Sequence, residues 1–194
     1  MAKSADRTRK RILAAAYELF YRKGFARVSV DEIAASARIT KRTLYYHFDS
    51  KDDLLATMLE SHHEMALGQI RKWGERLSGN LNAMIDLLFA DLANWASKPR
   101  WSGAGFTRLV MELADLLGHP ARAIASRHKA ALEAWLTSEF ATRKVKKPEE
   151  RGRQVVLLLE GAMSLILIHR DRRYAKAAAE AAKLLVEREF SESI

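Results

Sequence analysis

The chain has 194 residues and a formal net charge of +9, and 48% of its residues are hydrophobic. This length allows one or two domains with a full hydrophobic core. The absence of cysteine excludes a disulfide framework and a thiolate metal site, and it is compatible with a cytoplasmic location.

The positive charge is concentrated near the N-terminus. Residues 1–50 hold 11 lysines and arginines against 5 acidic residues, so about a quarter of the chain carries two thirds of the net charge. Basic charge gathered on one small domain is typical of a protein that binds nucleic acid. For residues 3–11 alone, a solvated basic tail is the simpler interpretation.

The sequence predicts neither a secretory signal nor a membrane span. The basic N-terminus is not followed by an apolar region of roughly 7–15 residues, as a signal peptide requires. The longest apolar stretch, Val155–Ile168, is interrupted by Glu160 and is shorter than the ~20 residues that cross a bilayer. We therefore expect a soluble, cytoplasmic protein with no membrane partner.

A first helix is predicted over Arg7–Lys23, because its apolar residues recur at helical spacing. Gly24 is predicted to end this helix, since glycine tolerates the left-handed backbone, and Phe25 can fold back on the last turn. The inward stripe consists of Ile12, Leu13, Ala16, Leu19 and Phe20.

Two short helices are predicted next. Ser29 and Glu32 form a capping box that starts a helix over Val30–Ser36. A tight connection, Ala37–Ile39, leads to Thr40, whose hydroxyl can cap a second helix that runs to Phe48. This arrangement is a helix-turn-helix, in which the second helix is presented to the DNA groove.

The second short helix has one apolar face and one basic, hydroxylated and aromatic face. Leu44 and Phe48 are four residues apart and are predicted to point inward together. The opposite face contains no acidic residue, so it suits the DNA major groove, where cations meet phosphates and side chains reach base edges. This face consists of Lys41, Arg42, Thr43, Tyr45, Tyr46 and His47.

At these positions the chain resembles the tetracycline-repressor (TetR) family of bacterial transcription regulators. The resemblance rests on Phe20–Phe25, Ser29–Ala34 and Thr43–Phe48 with Ser50 and Lys51 after them. It covers about the first quarter of the chain closely, and the remainder matches in length and helical character only.

The resemblance implies an all-α fold of about nine helices. Residues 1–53 would form a three-helix helix-turn-helix DNA-binding domain, and residues 54–194 a helical effector-binding and dimerisation bundle. It also implies that the residue matching Lys51 touches the DNA backbone. With the exposed face of the second short helix, the DNA-binding residues expected are Ser29, Thr40, Lys41, Arg42, Thr43, Tyr45, Tyr46, His47 and Lys51.

The chain departs from the family pattern at two positions. Arg38 stands at the turn, where the family commonly has glycine, and a positive φ there would cost a small backbone penalty. Arg42 stands where a small residue is common, and it adds a cation to the face that meets the groove. This changes the expected operator sequence but not the class of protein.

The rest of the chain has helical periodicity with no strand pattern. A long helix from Ser50 to about Trp73 is expected to connect the two halves of the molecule. Further helices are predicted over Asn82–Ser97, Ser102–Leu117, Pro120–Arg143, Glu149–His169 and Tyr174–Phe190.

The last two helices are predicted to form half of a four-helix homodimer interface. Val155–Ile168 is apolar nearly all the way round, so one face can enter the core and the other a partner subunit. A fully buried central helix in a monomer is the alternative. A two-fold dimer would place two recognition helices about 34–36 Å apart, as a palindromic operator requires.

A small-molecule effector pocket is expected in the C-terminal bundle, largely from the family resemblance. Such pockets are mostly apolar with a few placed polar groups, and an apolar or aromatic ligand is expected. For each residue alone, core packing is the simpler interpretation. The candidates are Trp73, Met84, Asp91, Trp95, Phe106, Met111, Glu112, Trp135, Glu160 and Met163.

The sequence predicts no catalytic residue, metal site or cofactor. The histidines show no ligand pair at helical spacing, and no phosphate-binding loop or nucleophile motif is present. We therefore predict a sequence-specific DNA-binding regulator, a repressor released from a palindromic operator by a small molecule. The alternative is an all-helical small-molecule-binding protein or enzyme whose helix-turn-helix does not read DNA specifically.

Overall fold

A computed structural model describes residues 2–76, 80–99, 101–103 and 105–187, with the backbone only at residues 2–4 and 69–76. Over these ranges the chain forms nine helices and no strand, which confirms the predicted all-α class. The helices are α1 Ala2–Lys23, α2 Val30–Ser36, α3 Lys41–His47, α4 Lys51–Arg76, α5 Leu81–Ala96, α6 Gly105–Met111, α7 Pro120–Thr142, α8 Pro148–His169 and α9 Arg173–Glu187.

The described residues divide into two compact units. The first combines residues from 1–65 with those from 105–126, and the second combines residues from 66–104 with those from 127–194. The helix-turn-helix therefore shares its unit with the first part of α4, all of α6 and the start of α7. The division between residues 53 and 54 stays a prediction about which residues bind DNA and which bind an effector.

The first unit has a core that the helical periodicity of α1 predicted. Ile12, Ala16 and Phe20 are fully buried, and Leu44 and Phe48 of the helix-turn-helix are buried in the same cluster. Gly24 ends α1 with φ +87°, which confirms the predicted left-handed position. The Phe25 ring returns to 5.2 Å from the Phe20 ring, centroid to centroid, as expected.

Helix α6 is shorter than predicted. A helix over Ser102–Leu117 was expected, but after Met111 the chain continues in tight turns, with the Leu116 amide donating to the Leu113 carbonyl at 3.0 Å. These turns bury Leu113 and leave Leu117 81% exposed. The spacing of the apolar residues predicted too long a helix, because the apolar residues after Met111 lie in turns and not in a helix.

The second unit is built on α5, α8 and α9. Val155, Leu159 and Ile166 of α8 are buried in one cluster with residues of α5 and α9. By length and composition α8 could cross a membrane, but a third of the qualifying stretch is buried inside the protein. Its burial against neighbouring helices is the pattern of a core helix with a second apolar face left exposed.

Candidate nucleic-acid interface

The start of α2 is fixed by the predicted capping box. The Glu32 amide donates to Ser29 Oγ at 3.1 Å, and the Ser29 amide donates to Glu32 Oε2 at 3.0 Å. Lys23 of α1 donates to the other Glu32 oxygen at 2.6 Å. This hydrogen bond, with that from the Ser29 amide, lowers the pKa of the Glu32 carboxyl. The first turn of α2 therefore contains a carboxylate that Lys23 and Ser29 stabilise.

One residue of the turn between α2 and α3 has a left-handed backbone, at the position where the family commonly has glycine. Arg38 has φ +52°, a conformation that disfavours residues with a Cβ. The Arg11 guanidinium of α1 donates to the carbonyl oxygens of Ala37 and Arg38, the latter at 3.0 Å. This clamp holds the turn in place, and no sequence motif indicated it.

Helix α3 begins at the predicted cap and turns its apolar side inward. The Thr43 amide donates to Thr40 Oγ1 at 3.1 Å, and the two threonine hydroxyls lie 2.8 Å apart. Leu44 and Phe48 are buried, so the helix cannot rotate about its axis without exposing them. The opposite face is therefore fixed as the outward one.

The outward face of α3 presents cationic and aromatic side chains. Tyr46 is 82% exposed, Tyr45 and the cations Lys41 and Arg42 are also exposed, and Thr43 and His47 are half-buried. The Tyr46 and His47 rings meet edge to face with centroids 5.3 Å apart. These six residues lie together as the helical spacing predicted, on a surface that suits a polyanion.

The two cations at the start of this face differ in their surroundings. Lys41 Nζ lies 3.0 Å from Asp31 Oδ2 of α2, and this hydrogen bond raises the pKa of Lys41. Asp31 therefore lies beside the outward face of α3, although none of the residues of that face is itself acidic. The Arg42 guanidinium has no hydrogen bond or ion pair with any residue in the described part of the chain, so it is available to a ligand.

Lys51 is held inside the first unit. Its ammonium donates to the carbonyl oxygens of Phe25 and Val28, both at 3.0 Å, and lies 4.1 Å from the centroid of the Phe25 ring. The side chain therefore joins the start of α4 to the loop between α1 and α2. A contact between Lys51 and the DNA backbone stays a prediction, and the structure adds a structural role that the sequence did not indicate.

The ten expected effector-binding residues are divided between the two units, and their role in binding an effector stays a prediction. The side chain of Trp73 lies outside the described residues. Three of the remaining residues belong to the first unit and six to the second. The first-unit set is Phe106, Met111 and Glu112, and the second-unit set is Met84, Asp91, Trp95, Trp135, Glu160 and Met163.

The first-unit set supports the helix-turn-helix unit. Glu112 Oε2 accepts from the Ala26 amide at 3.1 Å, and Phe106 is buried in the core of the unit. Arg108, one turn before Glu112, donates to the Tyr21 carbonyl at 2.8 Å. Met111 is exposed. Short α6 is thus fastened to the end of α1, a long-range packing that helical spacing could not reveal.

The second-unit set is divided between core and surface. Met84 is fully buried, Trp95 is partly exposed with its ring edge to face with that of Trp101, and Glu160 pairs with Lys129. Among the residues that the structure describes, no group of three or more histidine or acidic side chains is placed to hold a metal ion.

Comparison with known proteins points to the same region of the chain. Residues 12–58 match the family described as "Bacterial regulatory proteins, tetR family". An uncharacterised HTH-type transcriptional regulator in the lacX 3' region of Lactococcus lactis subsp. lactis is 30% identical over 113 residues. That match covers 56% of this chain and 56% of the relative, so the chain spans about half the length of this curated relative.

Solved structures extend the likeness to the fold of the whole chain. SCO4454, a TetR-family transcriptional regulator from Streptomyces coelicolor, has a TM-score of 0.83 at 24% identity, over 96% of this chain and 97% of that chain. The multidrug binding protein EbrR complexed with proflavin has a TM-score of 0.67 at 24% identity, over 92% of this chain and 99% of that chain. At these identities the likeness establishes the fold.

Proposed function

We propose that the chain, of which residues 12–58 match the tetR family of bacterial regulatory proteins, is a sequence-specific DNA-binding transcription regulator. The observation that carries the proposal is the outward face of α3, where Arg42, Tyr45 and Tyr46 are exposed while Leu44 and Phe48 fix the orientation. A seven-residue helix held by its buried side, with cations and aromatic hydroxyls outward, fits the major groove.

The proposed contacts are of two kinds: contacts to phosphates position the protein on the DNA, and contacts to base edges read the sequence. Arg42 has a free planar guanidinium, which pairs best with the O6 and N7 acceptors of guanine. Lys41, at the start of α3, is proposed to meet a phosphate once the DNA competes with Asp31 for its ammonium. The complete set proposed to contact DNA is Ser29, Thr40, Lys41, Arg42, Thr43, Tyr45, Tyr46, His47 and Lys51.

We propose that two chains associate through the segments 149–169 and 174–190, of which residues 188–190 lie outside the described part of the chain. Leu157 and Ile168 of α8 are 66% and 69% exposed, and Leu184 of α9 is also exposed. A Cβ added at Gly161 would meet no atom within 4 Å, so this stretch of α8 has room for a close neighbour. Apolar residues exposed along two adjacent helices favour burial against a second copy of the chain. The second copy also supplies the second helix-turn-helix that a palindromic operator requires.

An effector that releases the protein from DNA is proposed to bind in the second unit. The solved neighbour EbrR was crystallised with proflavin, a flat aromatic molecule, which supports an apolar or aromatic ligand. A ligand shifts the balance between two arrangements only by binding one of them better. Release from the operator therefore requires that the effector prefer the arrangement that does not bind DNA.

The proposal includes a cytoplasmic location and no catalytic activity. A regulator of this kind acts where the chromosome is, and its chemistry is binding alone. No cofactor is required for the proposed function.

The test is the selection of bound fragments from sheared genomic DNA of the source organism, with purified full-length protein at physiological salt. Enrichment of one short palindrome is expected, because two identical heads read two inverted half-sites. Binding that depends on salt but enriches no sequence would contradict specific reading. The genes that flank an enriched site would then provide candidate effectors.

A further inference from the structure

A small cavity opens in the second unit, apart from the surface proposed for DNA. Its volume is about 260 Å³, and it lies where α5 and α8 end. The lining is part apolar and part cationic, and consists of Ala96, Ser97, Trp101, Ile166, Arg170 and Arg172. None of these residues was expected from the sequence to bind an effector.

The cavity has donors without matching acceptors. Trp101 is 5% exposed, and its indole Nε1–H has no hydrogen-bond partner among the residues that the structure describes. A buried N–H without an acceptor is unfavourable, and a ligand oxygen can satisfy it. Trp95 meets the Trp101 ring edge to face with centroids 5.6 Å apart, which keeps the indole in place.

Both arginines of the cavity retain donors for a ligand. Arg170 uses one long bond, 3.5 Å, to the Trp101 carbonyl. The Arg172 guanidinium has no hydrogen bond or ion pair with the residues that the structure describes. Asp171 does not neutralise them, because its carboxylate is bound by Arg173 at 2.7–3.0 Å.

The electrostatic balance at the cavity favours an anion. The carbonyl ends of α5 and α8 each contribute roughly −0.5 of a charge. The two guanidinium groups contribute two full positive charges and outweigh them. Arg170 also adopts a left-handed backbone with φ +55° at the end of α8, a position where glycine is the usual residue.

We propose that this cavity binds a small carboxylate with a flat apolar body. A carboxylate matches the planar donor fork of arginine, and the apolar body matches the Trp101 and Ile166 side chains. The volume fits a single-ring molecule. This proposal concerns binding to the protein alone and does not rest on the proposed DNA-binding function.

The experiment titrates the ¹⁵N-labelled full chain with sodium benzoate and follows the indole N–H signals, with Trp101→Phe identifying the Trp101 signal. We expect a saturable shift of the Trp101 signal, while the signal of Trp135, which does not line the cavity, stays in place. Arg170→Gln and Arg172→Gln should each weaken benzoate binding at least about tenfold, because each removes a charged donor. Both arginines are exposed, so the variants should fold.

Two controls separate a built site from general attraction. Lys176→Gln removes an exposed charge of α9 that does not line the cavity, and should change benzoate affinity by no more than about twofold. Benzamide, which has the same shape without the charge, should bind at least about tenfold more weakly. An unmoved Trp101 signal at about 20 mM benzoate, equal binding of benzamide, or an equal loss in Lys176→Gln would overturn the proposal.

Discussion

The ammonium of Lys51 lies 3.0 Å from the carbonyl oxygen of Phe25 and 4.1 Å from the centroid of its ring. A second carbonyl, that of Val28, accepts from the same ammonium at 3.0 Å. The charge at the start of α4 is therefore bound to the loop that leads into the helix-turn-helix. Replacing this lysine therefore changes the support of the helix-turn-helix as well as any contact that its charge makes.

Lys51→Ala should lower the free energy of unfolding by about 1.5–3 kcal/mol, because two charged hydrogen bonds are lost. The measurement is urea unfolding followed by helical circular dichroism. Lys10→Ala is the matched control, since Lys10 forms only an exposed pair with Asp6 and should change stability by less than about 1 kcal/mol. Equal stability of Lys51→Ala and the wild type would contradict this role.

Arg42→Ala should relax base preference at one operator position, at a cost of about 1–3 kcal/mol against the preferred base. Its guanidinium is exposed and unpartnered within the described chain, so no internal contact is lost. Binding-site selection with wild type and variant measures the change. Lys41→Ala is the comparison, because loss of a phosphate contact should weaken binding to all sequences and reduce the salt dependence by about one unit. If the Arg42→Ala motif is identical to that of the wild type, Arg42 does not read a base.

Glu112→Ala should destabilise the first unit by about 1 kcal/mol, because the Ala26 amide loses its acceptor. The carboxylate also fills the space beside Gly24, where a Cβ would come within 2.4 Å of it. Asp115→Ala, an exposed acid close by in sequence, should be neutral. Urea unfolding of both variants is the measurement, and an unchanged midpoint for Glu112→Ala would show that the contact is dispensable.

Ile168→Glu should shift the protein from dimer to monomer, weakening association at least about tenfold, because it places a charge in the proposed interface. Leu117→Glu changes an exposed leucine of the first unit, 81% exposed against 69% for Ile168, and should leave association unchanged. Sedimentation velocity over a range of protein concentrations distinguishes the two variants. A dimer that persists unchanged in Ile168→Glu would exclude this part of α8 from the interface.

Acid should destabilise the first unit through His62. Its ring lies 4.2 Å from that of Tyr17, and burial lowers the pKa of His62 below its ordinary value of 6.5. The unfolded chain therefore takes up a proton at a higher pH than the folded chain does. This contribution to stability is present above about pH 6.5 and is lost as the pH falls through the folded pKa.

Urea unfolding at about pH 7.5 and about pH 5.5 measures this dependence. His62→Gln should show a smaller loss of stability on acidification than the wild type, since the variant cannot take up the proton. Identical losses in the two proteins would rule out His62 as the source.

The sequence alone determined the helix-turn-helix. The bonds that start α2 and α3 join residues three apart, as in Ser29 with Glu32 and Thr40 with Thr43. The spacing of Leu44 and Phe48 then decided which face of α3 points outward. These relationships are local, so they can be inferred from the order of residues before anything is known of the fold.

Only the tertiary structure decided which distant side chains complete this unit. Glu112 meets Ala26 across 86 positions of sequence, and Lys51 meets Phe25 across 26. The same holds for the cavity beside Trp101, which requires the ends of α5 and α8 to come together. Helical periodicity shows that a residue faces inward, but it does not identify the helix on the other side, because that depends on how all the apolar faces pack at once.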